Sequence, residues 1–195
     1  QQVSSAASDV YKRQRDNWEV FLNNGEVLYS KVIINASGPY ALDVLNDLIG
    51  IQSQKKIRHV QGSHIITEKL YKGEQAYILQ LDDKRIIFLI PYLDKYTLIG
   101  TTDHEVKSYD NPKITDIEKK YLISSVNKFI KNKITEDNII WTYSGVRPLV
   151  EDLNENASKI TRDYTFEIDD KDAPILTVFG GKLTTFRKLS EHALD

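Results

Sequence analysis

Two short runs of alternating apolar and polar residues, WEVFL at Trp18–Leu22 and EVLY at Glu26–Tyr29, flank Asn23-Asn24-Gly25, a pattern that predicts a β-hairpin. The continuous apolar run Val32-Ile33-Ile34 predicts a parallel-sheet strand covered on both faces, ending in the loop Asn35-Ala36-Ser37-Gly38-Pro39. Leu42, Leu45, Leu48 and Ile49 recur at helical spacing over 41–49, and Gly50 stands where a C-cap belongs. From Ile57 the texture becomes that of closely spaced strands, IRHVQGSHIIT, QAYILQL, RIIFLIPY and YTLIGTTD, and predicts an antiparallel sheet. Ile117, Tyr121, Leu122, Val126, Phe129 and Ile130 then form one stripe of a helix, with Thr115 as N-cap and Glu118 as the capping-box acid. The strand candidates YTFEI and PILTVF follow, and the latter runs into Gly180-Gly181-Lys182 and a helix. Residues 1–14 show neither strand alternation nor an apolar targeting core, and are expected to be a non-native or disordered tail outside the fold.

The composition narrows the chemistry. Of 195 residues, 41% are hydrophobic, enough for one sizeable core or two packed units. Lys plus Arg is 26 against 28 for Asp plus Glu, a formal charge of −2 without long single-sign blocks, so nucleic acid is not an expected partner. The chain has no cysteine, which removes disulfides, thiolate nucleophiles and cysteinyl metal sites. No two histidines stand at ligand spacing with a carboxylate, so no metal site is expected. The chain lacks Met and ends within a helical pattern, and is expected to be a portion of a longer protein.

The double glycine is the sharpest local motif. A strand, Gly180-Gly181 and a helix beginning at Lys182 would aim unpaired helix amides at an anion or an electron-rich carbonyl, with glycine allowing close approach. A phosphate-cradling Walker loop does not fit, because Leu176 occupies the first glycine position and Leu183 follows the lysine. A tight strand-to-helix turn with a surface lysine remains the alternative. Ser53-Gln54-Lys55-Lys56 matches S-x-x-K without its companion motifs, and Asn35 and Asn156 formally match glycosylation acceptors; none of these is expected to function as such.

The stretches INASGPY, GSHIIT, RIIFLIPY, LIGTTD, YSGVRPLVED, ITRDYTFEI and VFGGKLTTFRKLSEHAL, in this order, resemble FAD-dependent, quinone-linked glycerol-3-phosphate dehydrogenases, within the wider D-amino-acid oxidase-like flavoproteins. The resemblance spans Trp18 to Leu194 and implies an α/β and α+β architecture: the C-terminal part of a Rossmann-like FAD domain interrupted by an antiparallel substrate domain. Residues 15–50 and 143–195 would belong to the first and 51–142 to the second. The chain departs from the pattern in having no G-x-G-x-x-G, the motif that holds the FAD pyrophosphate. The implied chemistry is oxidation of sn-glycerol 3-phosphate to dihydroxyacetone phosphate, with FAD as cofactor and a quinone as electron acceptor. The longer protein would be cytoplasmic and peripheral to the inner membrane, with a homodimer as the assembly carried.

Roles follow from the resemblance. Arg147 would bind the phosphate, the alternative being an ion pair; Arg162 is a second phosphate candidate, with Asp163 as its alternative partner. His64 would take the C2 hydroxyl proton, against the alternative of a satisfied core histidine. Lys182 would serve the flavin or the substrate phosphate. Thr101 and Thr102 would line the substrate pocket or form a polar turn. Ala36, Ser37, Gly38, Gly180, Gly181, Leu183 and Thr184 would contact FAD. A related oxidase of another small anion, or a non-catalytic anion-binding module, are the rival readings.

Overall fold

The computed structural model describes residues 8–14, 16–151 and 163–195. The chain divides into two compact units, 1–58 with 148–195, and 59–147, so the division falls a few residues later on both sides than the sequence suggested.

The first unit holds two three-stranded sheets. In one, β1 (Ser8–Arg13), β2 (Trp18–Leu22) and β3 (Val27–Ser30) pair antiparallel in chain order, the last two forming the expected hairpin. β1 lies inside the stretch expected to be a tail, and that expectation is corrected. Backbone pairing with β2 needs no apolar alternation, and Arg13 anchors the strand end: Nε donates to the Ala173 carbonyl at 2.9 Å and Nη2 pairs with Asp169 at 2.6 Å. Trp18, wholly buried, donates its indole N–H to the Pro174 carbonyl. In the other sheet, β4 (Ile33–Asn35) runs parallel to β12 (Ile175–Gly180), which pairs antiparallel with β11 (Tyr164–Asp169). β12 is central and buried almost throughout, whereas Ile34 on β4 is 54% exposed. The run Val32–Ile34 is therefore covered on one face only, not both.

After β4, a 3-10 turn at Gly38–Tyr40 with Pro39 at its start leads into α1 (Ala41–Asp43), which widens to a π turn over Val44–Leu48. Ala41 and Leu45 pack with Trp18, Ile175 and Phe179, and Gly50 ends the segment at φ +82°.

The second unit is one antiparallel sheet backed by a helix. β5 (Lys56–Glu68), β6 (Tyr77–Gln80), β7 (Ile86–Tyr92), β8 (Tyr96–Gly100) and β10 (Trp141–Glu151) lie in the order β10-β5-β8-β7-β6, and β9 (His104–Glu105) pairs with β5. Strand periodicity splits the sheet into two faces. On the back, Ile65, Ile87, Leu89 and Ile99 pack with Leu122 and Val126 of α2 (Asp116–Val126) into the unit's core. The Thr115–Glu118 capping box is present: Thr115 Oγ1 accepts from the Glu118 amide, and Glu118 Oε2 accepts from the Thr115 amide. It turns Glu118 inward, so Glu118, Leu122 and Ser125 form the buried stripe, while Ile117, one helical step of about 100° away, is 81% exposed. Ile117 is thus not the core residue the spacing predicted, and Phe129, beyond the helix end, is half exposed.

Candidate active-site face

The front face of the same sheet carries the candidate residues His64 and Arg147. Gly62 and His64 alternate with the back-facing Ser63 on β5, and His64 pairs directly with Gly100 on β8. Neither glycine is in the positive-φ region; what each supplies is space. A Cβ on Gly100 would overlap the His64 imidazole, and one on Gly62 would overlap the Arg147 guanidinium and Thr101 Oγ1. Glycines on neighbouring strands therefore leave the space that an imidazole and a guanidinium occupy.

His64 stacks on Tyr143 of β10, with ring centroids 4.6 Å apart and an interplanar angle of 8°. Its Nδ1 is buried and has no hydrogen-bond partner among the described residues. Burial, then the nearby Arg147 charge, hold its pKa below the ordinary 6.5, so the ring is neutral at pH 7. The lowered pKa favours the neutral ring, the form that can accept a proton. Gly100→Ala is expected to displace the ring and lower turnover of the longer protein while flavin stays bound; unchanged turnover would remove Gly100 from the site's architecture.

Arg147 is held in this state by the ion pair that was its alternative reading. Nη1 lies 2.5 Å from Asp103 Oδ1, and Nη2 donates to Thr101 Oγ1 at 2.8 Å. Both partners are roughly a third or more exposed, so the pair is worth at most about 1 kcal/mol, and a phosphate dianion can compete for the same fork. Thr101 thus sits beside the guanidinium. Thr102 does not line an open pocket: it is 3% exposed, and its hydroxyl accepts from the Ser63 amide and donates to Glu118. Its proposed substrate contact is corrected to a structural one. Arg162 and Asn156 lie outside the described residues.

In the first unit, the carboxyl ends of the adjacent parallel strands β4 and β12 carry residues 36–38 and 181–184 on one sheet edge, where ligands of open α/β sheets bind. Lys182, Leu183 and Thr184 are exposed there, Leu183 at 88%. The space a Cβ would fill at Gly38 is open, with backbone at φ +62°. This edge fits the approach of a flat cofactor ring to exposed backbone. The double glycine also meets the turn requirement that was its alternative reading. Gly180 and Gly181 adopt φ +73° and +96°, and a Cβ on Gly180 would press on the Asp163 carbonyl at 2.7 Å, so the turn itself requires both. The helix also starts later than expected: a 3-10 turn spans Leu183–Thr185 and α3 is Phe186–Leu194. The amides at Gly181 and Lys182 are therefore not the first of an α-helix. Asn35, one of the two formal glycosylation acceptors, is 4% exposed and closes the 35–41 loop by donating to the Ala41 carbonyl.

Sequence reasoning did not single out Gly62, Gly100 and Tyr143, which pack against Arg147 and His64. Glycine within a strand pattern was the available signal for the first two.

The fold matches a glycerol-3-phosphate dehydrogenase from Bacillus halodurans solved in complex with FAD, with a TM-score of 0.79 at 23% identity over 96% of this chain and 37% of that one. Among curated proteins, aerobic glycerol-3-phosphate dehydrogenase of Escherichia coli (strain K12) is 47% identical over 168 residues, covering 84% of this chain and 33% of the relative. D-erythritol 1-phosphate dehydrogenase of Brucella abortus (strain 2308) is 39% identical over 193 residues, covering 94% and 38%. The chain spans about a third of the length of these relatives. The FAD dependent oxidoreductase profile matches residues 4–186, nearly the whole chain, and the chain belongs to that family.

Proposed function

We propose that this chain is the substrate-domain and flavin-facing part of a longer enzyme that oxidises sn-glycerol 3-phosphate to dihydroxyacetone phosphate. The observation that carries the proposal is the front face, where a neutral imidazole and a guanidinium occupy space that two glycines leave open. The named relatives support the substrate choice.

Oxidation of the C2 alcohol removes a proton from oxygen and a hydride from carbon. Bound FAD supplies the acceptor for that hydride and its two electrons. His64 takes the hydroxyl proton on a ring nitrogen, which its depressed pKa keeps vacant at neutral pH. Arg147 exchanges Asp103 for the substrate phosphate and orients C2. Thr101 steadies the guanidinium. Residues 36–38 and 180–184 present backbone, and Lys182 a positive charge, toward the flavin. Contacts to the pyrophosphate come from elsewhere in the longer protein, since this chain has no G-x-G-x-x-G. In the same proposal the enzyme is cytoplasmic, peripheral to the inner membrane, homodimeric, and delivers its electrons to a quinone.

The Brucella abortus relative makes D-erythritol 1-phosphate the second substrate to consider. Anaerobic mixing of the FAD-loaded longer protein with each compound decides between them. Flavin bleaching by glycerol 3-phosphate and not by glycerol is the expected result. Faster bleaching by D-erythritol 1-phosphate transfers the assignment to that polyol phosphate, and no bleaching by either removes the dehydrogenase reading.

A further inference from the structure

The back of the sheet holds a buried carboxylate that the reaction does not use. Glu118 is 5% exposed and its carboxylate accepts hydrogen bonds from several donors. Oε1 accepts from Thr102 Oγ1 at 2.6 Å and Ser63 Oγ at 2.7 Å. Oε2 accepts from the Thr115 amide at 2.8 Å, Thr115 Oγ1 at 3.0 Å and Gln61 Nε2 at 3.1 Å. Burial alone would raise its pKa, but the bonds from Thr102, the Thr115 amide, Ser63 and the Thr115 hydroxyl outweigh it and hold the group ionised. Capping α2 requires only the Thr115 contacts. The bonds to Ser63 and Thr102 exceed that need, and they reach two separate segments of the sheet.

Strand alternation gives those two bonds their consequence. Ser63 points back, so its neighbours Gly62 and His64 point forward. Thr102 is gripped from behind, and its neighbours Thr101 and Asp103 are the residues that hold Arg147. Thr102 Oγ1 also accepts from the Ser63 amide, closing a ring of Glu118, Ser63 and Thr102, and Ser63 Oγ meets Ser144 Oγ of β10 at 2.9 Å, next to Tyr143. The geometry points to Glu118 as a positioning residue: from behind the sheet it sets β5 and the 101–103 segment against each other, and so fixes His64 relative to Arg147 on the front. The inference rests on the proposed roles of His64 and Arg147.

Glu118→Gln in the FAD-loaded longer protein tests it. A carboxamide can still cap the helix with its oxygen, but it turns an N–H toward Thr102 and Ser63, so the two hydroxyl protons that Oε1 accepts lose their acceptor. We expect kcat/KM to fall by about 10- to 100-fold, the scale seen when outer partners of metal-ligating groups are removed. We also expect the His64 ring, followed by NMR on 13C-histidine-labelled protein, to titrate nearer 6.5 as Arg147 drifts from it, with flavin occupancy unchanged. Thr115→Ala removes the cap hydroxyl but leaves the bonds to Ser63 and Thr102, and should lower stability while moving both readouts less than Glu118→Gln does. Should Glu118→Gln fail to fold, Thr102→Val cuts the same link with near-identical volume and should reproduce both changes. Wild-type kcat/KM and His64 titration in these variants, or equal effects from Thr115→Ala, would overturn the inference. If the wild-type enzyme proves inactive on glycerol 3-phosphate the functional reading fails, yet the His64 titration still decides the role of Glu118.

Discussion

His64→Ala in the longer, FAD-loaded enzyme is expected to lower kcat by roughly 10²-fold or more, the scale of a lost general base, with flavin still bound. The pH dependence carries a sign. Burial and Arg147 push the His64 pKa down, so the catalytically competent neutral ring persists below pH 6.5, and activity falls only as pH drops through the lowered value. That acid limb should vanish in the variant, leaving a flat, low profile. The same depression means that the unfolded chain binds the proton more readily than the folded one. Stability contributed by His64 is therefore present above the unfolded pKa and is lost as pH falls through the folded pKa. If the acid limb survives His64→Ala, another group is the base.

Arg147→Ala is expected to raise KM for glycerol 3-phosphate by about 30- to 150-fold, corresponding to roughly 2–3 kcal/mol of charged hydrogen bonding. The existing pair with Asp103 does not argue against this. Two partly exposed charges gain little from each other, whereas a phosphate presents a dianion with oxygens spaced for the guanidinium fork. Arg147→Lys should recover only part of the loss, because a point charge cannot replace bidentate geometry. An unchanged KM in the Ala variant would take Arg147 out of the phosphate site. A uniform fall in kcat with KM intact would assign it to the transition state alone.

Local signals in the sequence survive where local physics decides them. The hairpin at Asn23-Asn24-Gly25 and the capping box at Thr115–Glu118 are encoded within a few residues, and both form. Residues whose fate depends on distant partners were misread. Ile117 has the right spacing for the stripe, but the inward turn of Glu118 rotates the helix away from it. Ser8–Arg13 has no apolar pattern, yet β2 offers it an edge and Asp169 an anchor for Arg13. Gly180 and Gly181 were singled out for close approach to a cofactor, and the structure adds a demand that the sequence did not show, positive φ at both and the Asp163 carbonyl beside Gly180. His64 and Arg147 were singled out through resemblance, but the space beside the two glycines that seats them was not. A strand glycine reveals its purpose only when the side chain occupying its missing Cβ comes from another strand, as His64 does at Gly100 and Arg147 at Gly62.

The central claim, that His64 is a neutral base serving alcohol oxidation on the front face, is tested most directly by the anaerobic rate of flavin bleaching at saturating glycerol 3-phosphate, followed from pH 5 to pH 8 in wild-type and His64→Ala protein. The account predicts a wild-type rate that falls on the acid side with an apparent pKa below 6.5, and a variant rate roughly 10²-fold lower without that limb. Equal rates in the two proteins, with the same acid limb in both, would contradict it.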